Sequence, residues 1–197
     1  MNITNPGLIF LAAFIVNNIL LMRYIGLCPF FGVSTSLATA FGMSAAVLFV
    51  MLLATWVTWI IYRFILFPLD IVFLRTATFI LVIAALVQFV EMFLRKNFKT
   101  LYTAMGIYLP LITTNCAILG VTLLVINYNY DLLRATVFAV GSALGFGLVI
   151  ILFSAIRERI EFAPISRSLR GYPIAFISAS LVALAFLGFI GLLGLTL

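Results

Sequence analysis

The chain has 197 residues, 66% of them hydrophobic and 8% charged, with a net charge of +6. Soluble domains are about 45–50% apolar and about 25% charged, so a soluble globule, a disordered chain and a coiled coil are all excluded. The sequence contains no histidine, which removes imidazole-ligated haem, Rieske centres, zinc–histidine sites and Ser–His–Asp triads.

Twenty phenylalanines fit lipid-facing helices rather than a porin-type barrel, whose strands alternate apolar and polar residues. An α-helical span needs about 20 apolar residues, and charge-free runs delimit the candidates. The first 22 residues carry no Lys or Arg, so the basic start of a signal peptide is missing, and the N-terminus reads as a retained transmembrane segment. Gly7–Met22 is apolar up to Arg23. Tyr24–Tyr62 then runs for 39 residues without a charge, and the polar patch Gly32-Val33-Ser34-Thr35-Ser36 is its natural break. Further spans follow over Phe41–Tyr62, Thr76–Leu94, Leu101–Ile126, Ala135–Ile156 and Tyr172–Leu195. Turn signals separate them: Pro68-Leu69-Asp70, Lys96-Asn97-Phe98-Lys99, Asn127-Tyr128-Asn129-Tyr130-Asp131, and a charged loop from Arg157 to Gly171. The expectation is an all-α polytopic membrane protein with six transmembrane helices in one membrane domain, residues 1–197.

Six spans sort the loops by side. The even loops carry Arg63, Arg75 and Arg134. The odd loops have Arg23 nearby and carry Arg95, Lys96, Lys99, Arg157, Arg159, Arg167 and Arg170. Three basic residues against eight place the odd loops in the cytoplasm and both termini outside. In such a chain a positive balance records topology, not nucleic-acid binding. Neither GxGxxG nor a Walker loop is present.

The chain repeats itself. Cys28-Pro29-Phe30-Phe31-Gly32-Val33-Ser34 matches Cys116-Ala117-Ile118-Leu119-Gly120-Val121-Thr122 as C-x-x-x-G-V-[S/T], 88 residues apart. Each motif sits in the first span of a three-span half, and three is odd, so the halves enter the membrane in opposite directions. That is an inverted repeat, about 1–98 and about 99–197, and such folds place functional groups on interrupted helices near the midplane. Pro29 follows Cys28 directly and lacks a helix N–H. Pro110 and the polar set Thr113-Thr114-Asn115 precede Cys116. Interrupted backbone is expected at both motifs.

A buried membrane cysteine is ordinarily a small inert hydrophobe, and a Cys28–Cys116 disulfide at membrane depth is disfavoured. The matched placement offers a second reading, half of a metal site. Two thiolates are too few for an iron–sulfur cluster, which normally needs four; a partner chain with two more would complete a [2Fe–2S] centre at the subunit interface. Other polar residues have structural and functional readings. Glu91 shares a helix face with Gln88 and is a candidate for ion coupling, yet Arg95 at four residues' spacing makes a structural ion pair. Arg23 either raises a cluster's potential or anchors the cytoplasmic end of its span. Asn17, Asn18 and Asn115 suit helix–helix hydrogen bonds as well as ion coordination. Gly141-x-x-x-Gly145 and Gly188, Gly191 and Gly194 make small faces for close packing.

Gly26-Leu27-Cys28-Pro29-Phe30-Phe31-Gly32-Val33-Ser34, Leu109-Pro110-Leu111-Ile112-Thr113-Thr114-Asn115-Cys116-Ala117 and Ala155-Ile156-Arg157-Glu158-Arg159 closely resemble the RnfA/NqrE family of membrane subunits. The resemblance runs nearly end to end and includes Gln88-Phe89-Val90-Glu91-Met92. The Cys-Pro-Phe form favours the Rnf branch over the NqrE branch of the sodium-pumping NADH:quinone oxidoreductases. The resemblance implies a bacterial inner-membrane component of a ferredoxin:NAD oxidoreductase that couples electron transfer to Na+ or H+ translocation and is inactive alone. It implies that Cys28 and Cys116 are two of four ligands of an intramembrane [2Fe–2S] cluster, the other two coming from an RnfE-like inverted homologue. A quinone-linked pump, a secondary transporter and a membrane scaffold are the rival readings.

Overall fold

The computed structural model describes residues 5–34, 36–68, 72–97, 115–164, 166 and 169–189, and of residues 93–95 and 97 the backbone only. Among these residues there is no strand. Helix α1 (Pro6–Leu11) continues into a π-helical turn, Ala12–Val16. A short helix α2 (Leu27–Val33) follows a non-helical stretch, and α3 (Leu37–Ile61) runs on through a π-helical turn to Leu66. A 3₁₀ turn, Val72–Leu74, leads into α4 (Arg75–Asn97). Then come α5 (Cys116–Asn127), α6 (Leu132–Glu161) and α7 (Tyr172–Leu187).

Local chemistry accounts for the helix starts. Pro6 and Pro173 stand in first turns, where no N–H is needed. Ser36 caps α3 by accepting the Thr39 N–H. Three helical stretches are long and apolar enough to cross a membrane: Leu37–Leu66, Val72–Met92 and Leu132–Glu161. Pro6–Val16, Cys116–Asn127 and Tyr172–Leu187 are shorter apolar helices. Each expected span therefore contains a helix, although most of the stretch expected before Cys116 lies outside the described residues.

Two loop boundaries need correction. Helix α6 continues through Glu161, so Arg157, Glu158 and Arg159 are helical rather than the start of the charged loop. Helix α4 likewise takes in Lys96 and Asn97.

Helix α6 is the most enclosed of the three long helices and forms the mast of the bundle. Its small residues explain how the others come close. A Cβ on Gly147 would lie 3.0 Å from the Ser44 Cβ of α3. On Gly141 and Gly145 it would stand 2.9 Å from the Phe10 carbonyl oxygen and 2.6 Å from that of Phe14. The Gly141-x-x-x-Gly145 face thus seats α1 and the π-helical turn that follows it inside this chain. Side chains of α3 fasten the α5–α6 corner, with Trp59 Nε1 donating to the Tyr130 carbonyl at 3.0 Å and Trp56 Nε1 to Thr136 Oγ1 at 3.0 Å.

A candidate cysteine site at mid-bundle

The first span does break, but ahead of the cysteine motif rather than at its proline. The backbone leaves the helix at Asn17 and turns through positive φ at Tyr24 (55°) and Gly26 (93°) before α2 begins. Pro29 is the third residue of α2, where a backbone N–H has no intrahelical partner to lose. Asn18 holds the break to the mast. Its Nδ2 donates to the Gly145 carbonyl at 2.9 Å and to the Phe14 carbonyl at 3.3 Å, while its Oδ1 accepts the Leu20 N–H. Asn17 and Asn18 are thus structural partners of the break.

Neighbours along α6 give the height of the break. Phe10 lies against Gly141 and Phe14 against Gly145. Gly26 then lies against Phe146, with its absent Cβ position 2.8 Å from the ring. Further on, the Phe30 ring stacks on Phe153 at 4.2 Å, and Ser34 meets Arg157. The stretch from Asn17 to Gly26 therefore gains almost no height along α6. It sits at the middle of that 30-residue helix, which is about 45 Å long.

Cys116 starts α5 at the same height. The Gly26 N–H donates to Cys116 Sγ at 3.0 Å, and Cys28 follows two residues later, at most about 7 Å of chain. The missing side chain at Gly26 also clears Ala117 Cβ by only 3.1 Å, so both the positive φ and the closeness require glycine. From this point the helices part. Helix α2 runs towards the Arg157 end of α6, and α5 runs the other way to Tyr128, whose ring meets Phe138 edge-on at 6.1 Å. Both cysteines are free thiols on the exposed surface of the chain.

Asn115 caps α5, its Oδ1 accepting the Ala117 N–H at 3.0 Å. The residue is buried, and among the described residues its Nδ2 has no partner. As placed, the amide offers a donor, which suits negative charge better than a cation. Arg23 does not stand with the first loop. Its guanidinium donates to Asn17 Oδ1 at 3.2 Å and to Tyr128 Oη at 2.7 Å. That is towards the α5–α6 corner, away from Ser34 and the first loop. Glu91 is half-buried on α4, and no described hydrogen bond or ion pair joins it to the cysteines. Its expected partner, the Arg95 side chain, lies outside the described residues.

Two contributors carry no role in the sequence reading. Gly26 is there only one residue of a motif, although glycine two residues before a cysteine at a suspected break signals a positive φ. Arg157 is expected in a loop, yet its Nη1 donates to the Phe31 carbonyl at 3.0 Å and to Ser34 Oγ at 2.9 Å.

A family model described as "Rnf-Nqr subunit, membrane protein" matches residues 7–193. The chain belongs to the Rnf-Nqr family of membrane subunits. It is 53% identical over 189 residues to the A-type subunit of the ion-translocating oxidoreductase complex of Pectobacterium atrosepticum, covering 96% of this chain and 98% of that one. Its counterpart of the same name in Photorhabdus laumondii is 51% identical over the same coverage. The one in Proteus mirabilis is 52% identical over 192 residues, 98% of this chain and 100% of that one.

For this Rnf-Nqr chain, the donor set fits one half of a thiolate-ligated cluster. The described residues hold no group of three or more Cys, Asp or Glu side chains, and the sequence has no other cysteine and no histidine. Two ligands are the most this site supplies by thiolate. The Gly26 N–H already points at one sulfur, the kind of hydrogen bond that tunes iron–sulfur centres. Helix α5 adds the positive end of a 12-residue dipole at Cys116.

Proposed function

We propose that this chain is the RnfA component of an Rnf-type ion-translocating oxidoreductase complex, passing electrons between ferredoxin and NAD and coupling them to Na+ or H+ translocation. In this reading Cys28 and Cys116 hold one side of a [2Fe–2S] cluster within the membrane, and an RnfE-like inverted homologue holds the other. The observation that carries it is the Gly26 N–H to Cys116 Sγ contact. It brings both cysteine-bearing helix starts to mid-height of α6, on a surface left open for a second chain. Two short helices leaving that point in opposite directions are what an inverted repeat of broken helices provides.

Such a cluster supplies a one-electron station between carriers on the two sides. The chain's own residues make the site habitable. Extra negative charge in low dielectric is costly, and the Gly26 N–H on Cys116 Sγ and the start of α5 offset it; the buried Asn115 Nδ2, one residue before Cys116, is a further donor with no partner among the described residues. That charge also biases the position of a nearby cation or of the chain itself, which is a route to coupling. Glu91 is the remaining candidate for the ion path. The Arg23 guanidinium turns away from the first loop, and without it the remaining basic residues divide seven to three, which still favours odd loops in the cytoplasm and termini outside the inner membrane.

The test is low-temperature EPR with iron and acid-labile sulfide assays on the purified complex, beside Cys28→Ser and Cys116→Ser versions. Either substitution should remove one [2Fe–2S] signal while the complex stays assembled. Unchanged iron and signal in both would make the cysteines packing residues and favour a transporter or scaffold.

A further inference from the structure

Helix α2 carries Cys28 but has little of its own to hold it in place. It spans seven residues, and Gly26 at its start makes no side-chain cap. Isolated helices shorter than about 12–15 residues are marginal, so the position of the seven-residue α2 is imposed by what it packs on. Its last carbonyls have no intrahelical donors. Thr39 Oγ1 donates to the Val33 carbonyl at 3.1 Å. Arg157 Nη1, reaching over from α6, donates to the Phe31 carbonyl and to the Ser34 hydroxyl. Along the side of α2, Phe30 stacks on Phe153, and Phe31 packs edge-on to the same ring at 6.1 Å.

A guanidinium at this end suits the negative pole of a helix. It also spans two acceptors that lie three residues apart, which fixes the rotation of α2 about its axis as well as its height. Cys28 is three residues before Phe31 and therefore lies on nearly the same helix face, one turn away. A twist of α2 at its Arg157 end is thus passed directly to the direction of the Cys28 side chain. Pro29 and the stacked Phe30 make the single turn between them stiff.

We propose that Arg157 is the positioning residue for Cys28: it clamps the C-terminal end of α2 and so aims the thiol at the shared site. The inference rests on the cluster reading above for its purpose, but not for its geometry. Arg157 touches neither cysteine in the described contacts and acts only through α2.

The test uses two readouts on Arg157→Met, Arg157→Lys and Ser34→Ala. In the assembled complex, the rate of iron loss to a chelator should rise by up to about 10-fold for Arg157→Met, no more than the lower end of what a group bonded directly to a metal ligand is worth in affinity. Arg157→Lys should recover most of this, because an ammonium also reaches a carbonyl and a hydroxyl. In the full chain produced without its partners, maleimide labelling followed by peptide mass spectrometry reads the two thiols separately. Arg157→Met should change the Cys28 rate several-fold and leave Cys116 at its wild-type rate, with Ser34→Ala giving a smaller change of the same sign. Equal changes at both cysteines, or none at either, would overturn the proposal. Should Arg157→Met not accumulate, Ser34→Ala and Arg157→Lys decide it by the same ratio. If the wild-type complex holds no cysteine-dependent cluster, the function fails, but the labelling ratio still judges the clamp.

Discussion

The helices that carry the two cysteines begin side by side and are held by opposite means. Helix α5 carries its own end signals, although half of its residues are buried against the rest of the bundle. It has 12 residues and its own cap in Asn115, and the Tyr128 N–H closes onto the Leu124 and Ile126 carbonyls at its far end. Helix α2 borrows its order from α3 and α6, through Thr39, Arg157 and the Phe30–Phe153 stack. The difference teaches where each cysteine's geometry is encoded. The helix start at Cys116 is capped by the residue just before it, with Gly26 reaching its sulfur from 90 positions away, whereas the end of α2 that orients Cys28 is held by Arg157, 129 positions from that cysteine. Gly26 is common to both arms, since it precedes α2 and donates to the sulfur at the start of α5.

That contrast can be broken or sharpened by substitution. The largest effect is expected at the shared point. Gly26→Ala puts a Cβ 2.8 Å from the Phe146 ring and 3.1 Å from Ala117 at a φ of +93°. Overpacking alone costs about 1–3 kcal/mol, so the complex should melt at lower temperature, and the labelling rates of both cysteines should change together. Asn115→Ala removes the cap of α5, worth about 1 kcal/mol. It should alter the labelling of Cys116 more than that of Cys28. Smallest is Thr39→Val, at a partly exposed hydroxyl: it ends the contact with the Val33 carbonyl at the end of α2 and those with Ser36 at the start of α3, at about 0.5–1.5 kcal/mol for a typical hydrogen bond. Here thiol labelling should show the reverse preference, with Cys28 moving and Cys116 still.

Much of the membrane fold is legible in the sequence, because charge-free runs and turn residues report helix ends directly. Leu37–Leu66 and Leu132–Glu161 follow from the apolar runs around them. The Gly141-x-x-x-Gly145 face is readable as a packing surface, and its partner proves to be α1. The cysteines stand out through their repeat. What hydropathy does not read is the backbone inside an apolar run. The break lies at Asn17–Gly26 because Asn18 finds the Gly145 carbonyl and Gly26 accepts a positive φ, and neither fact alters the apolar character of the segment. Proline draws attention to the wrong residue, since in the first turn of a helix it breaks nothing. Sequence order also misplaces long basic side chains. Arg23 extends back to Tyr128 rather than forward to the first loop, and Arg157 turns into the bundle to cap a helix. The position of the cysteines along the bundle becomes readable only through the neighbours of Gly26 on α6.

The central claim is that Cys28 and Cys116 serve one cluster, not two separate purposes. Iron per assembled complex, measured for both single serine substitutions and for Cys28→Ser/Cys116→Ser together, tests it most directly. Ligands of one centre are not additive, so the double substitution should lose the same two irons as either single one. Losses that add, or iron that stays in place in all three, would contradict the account.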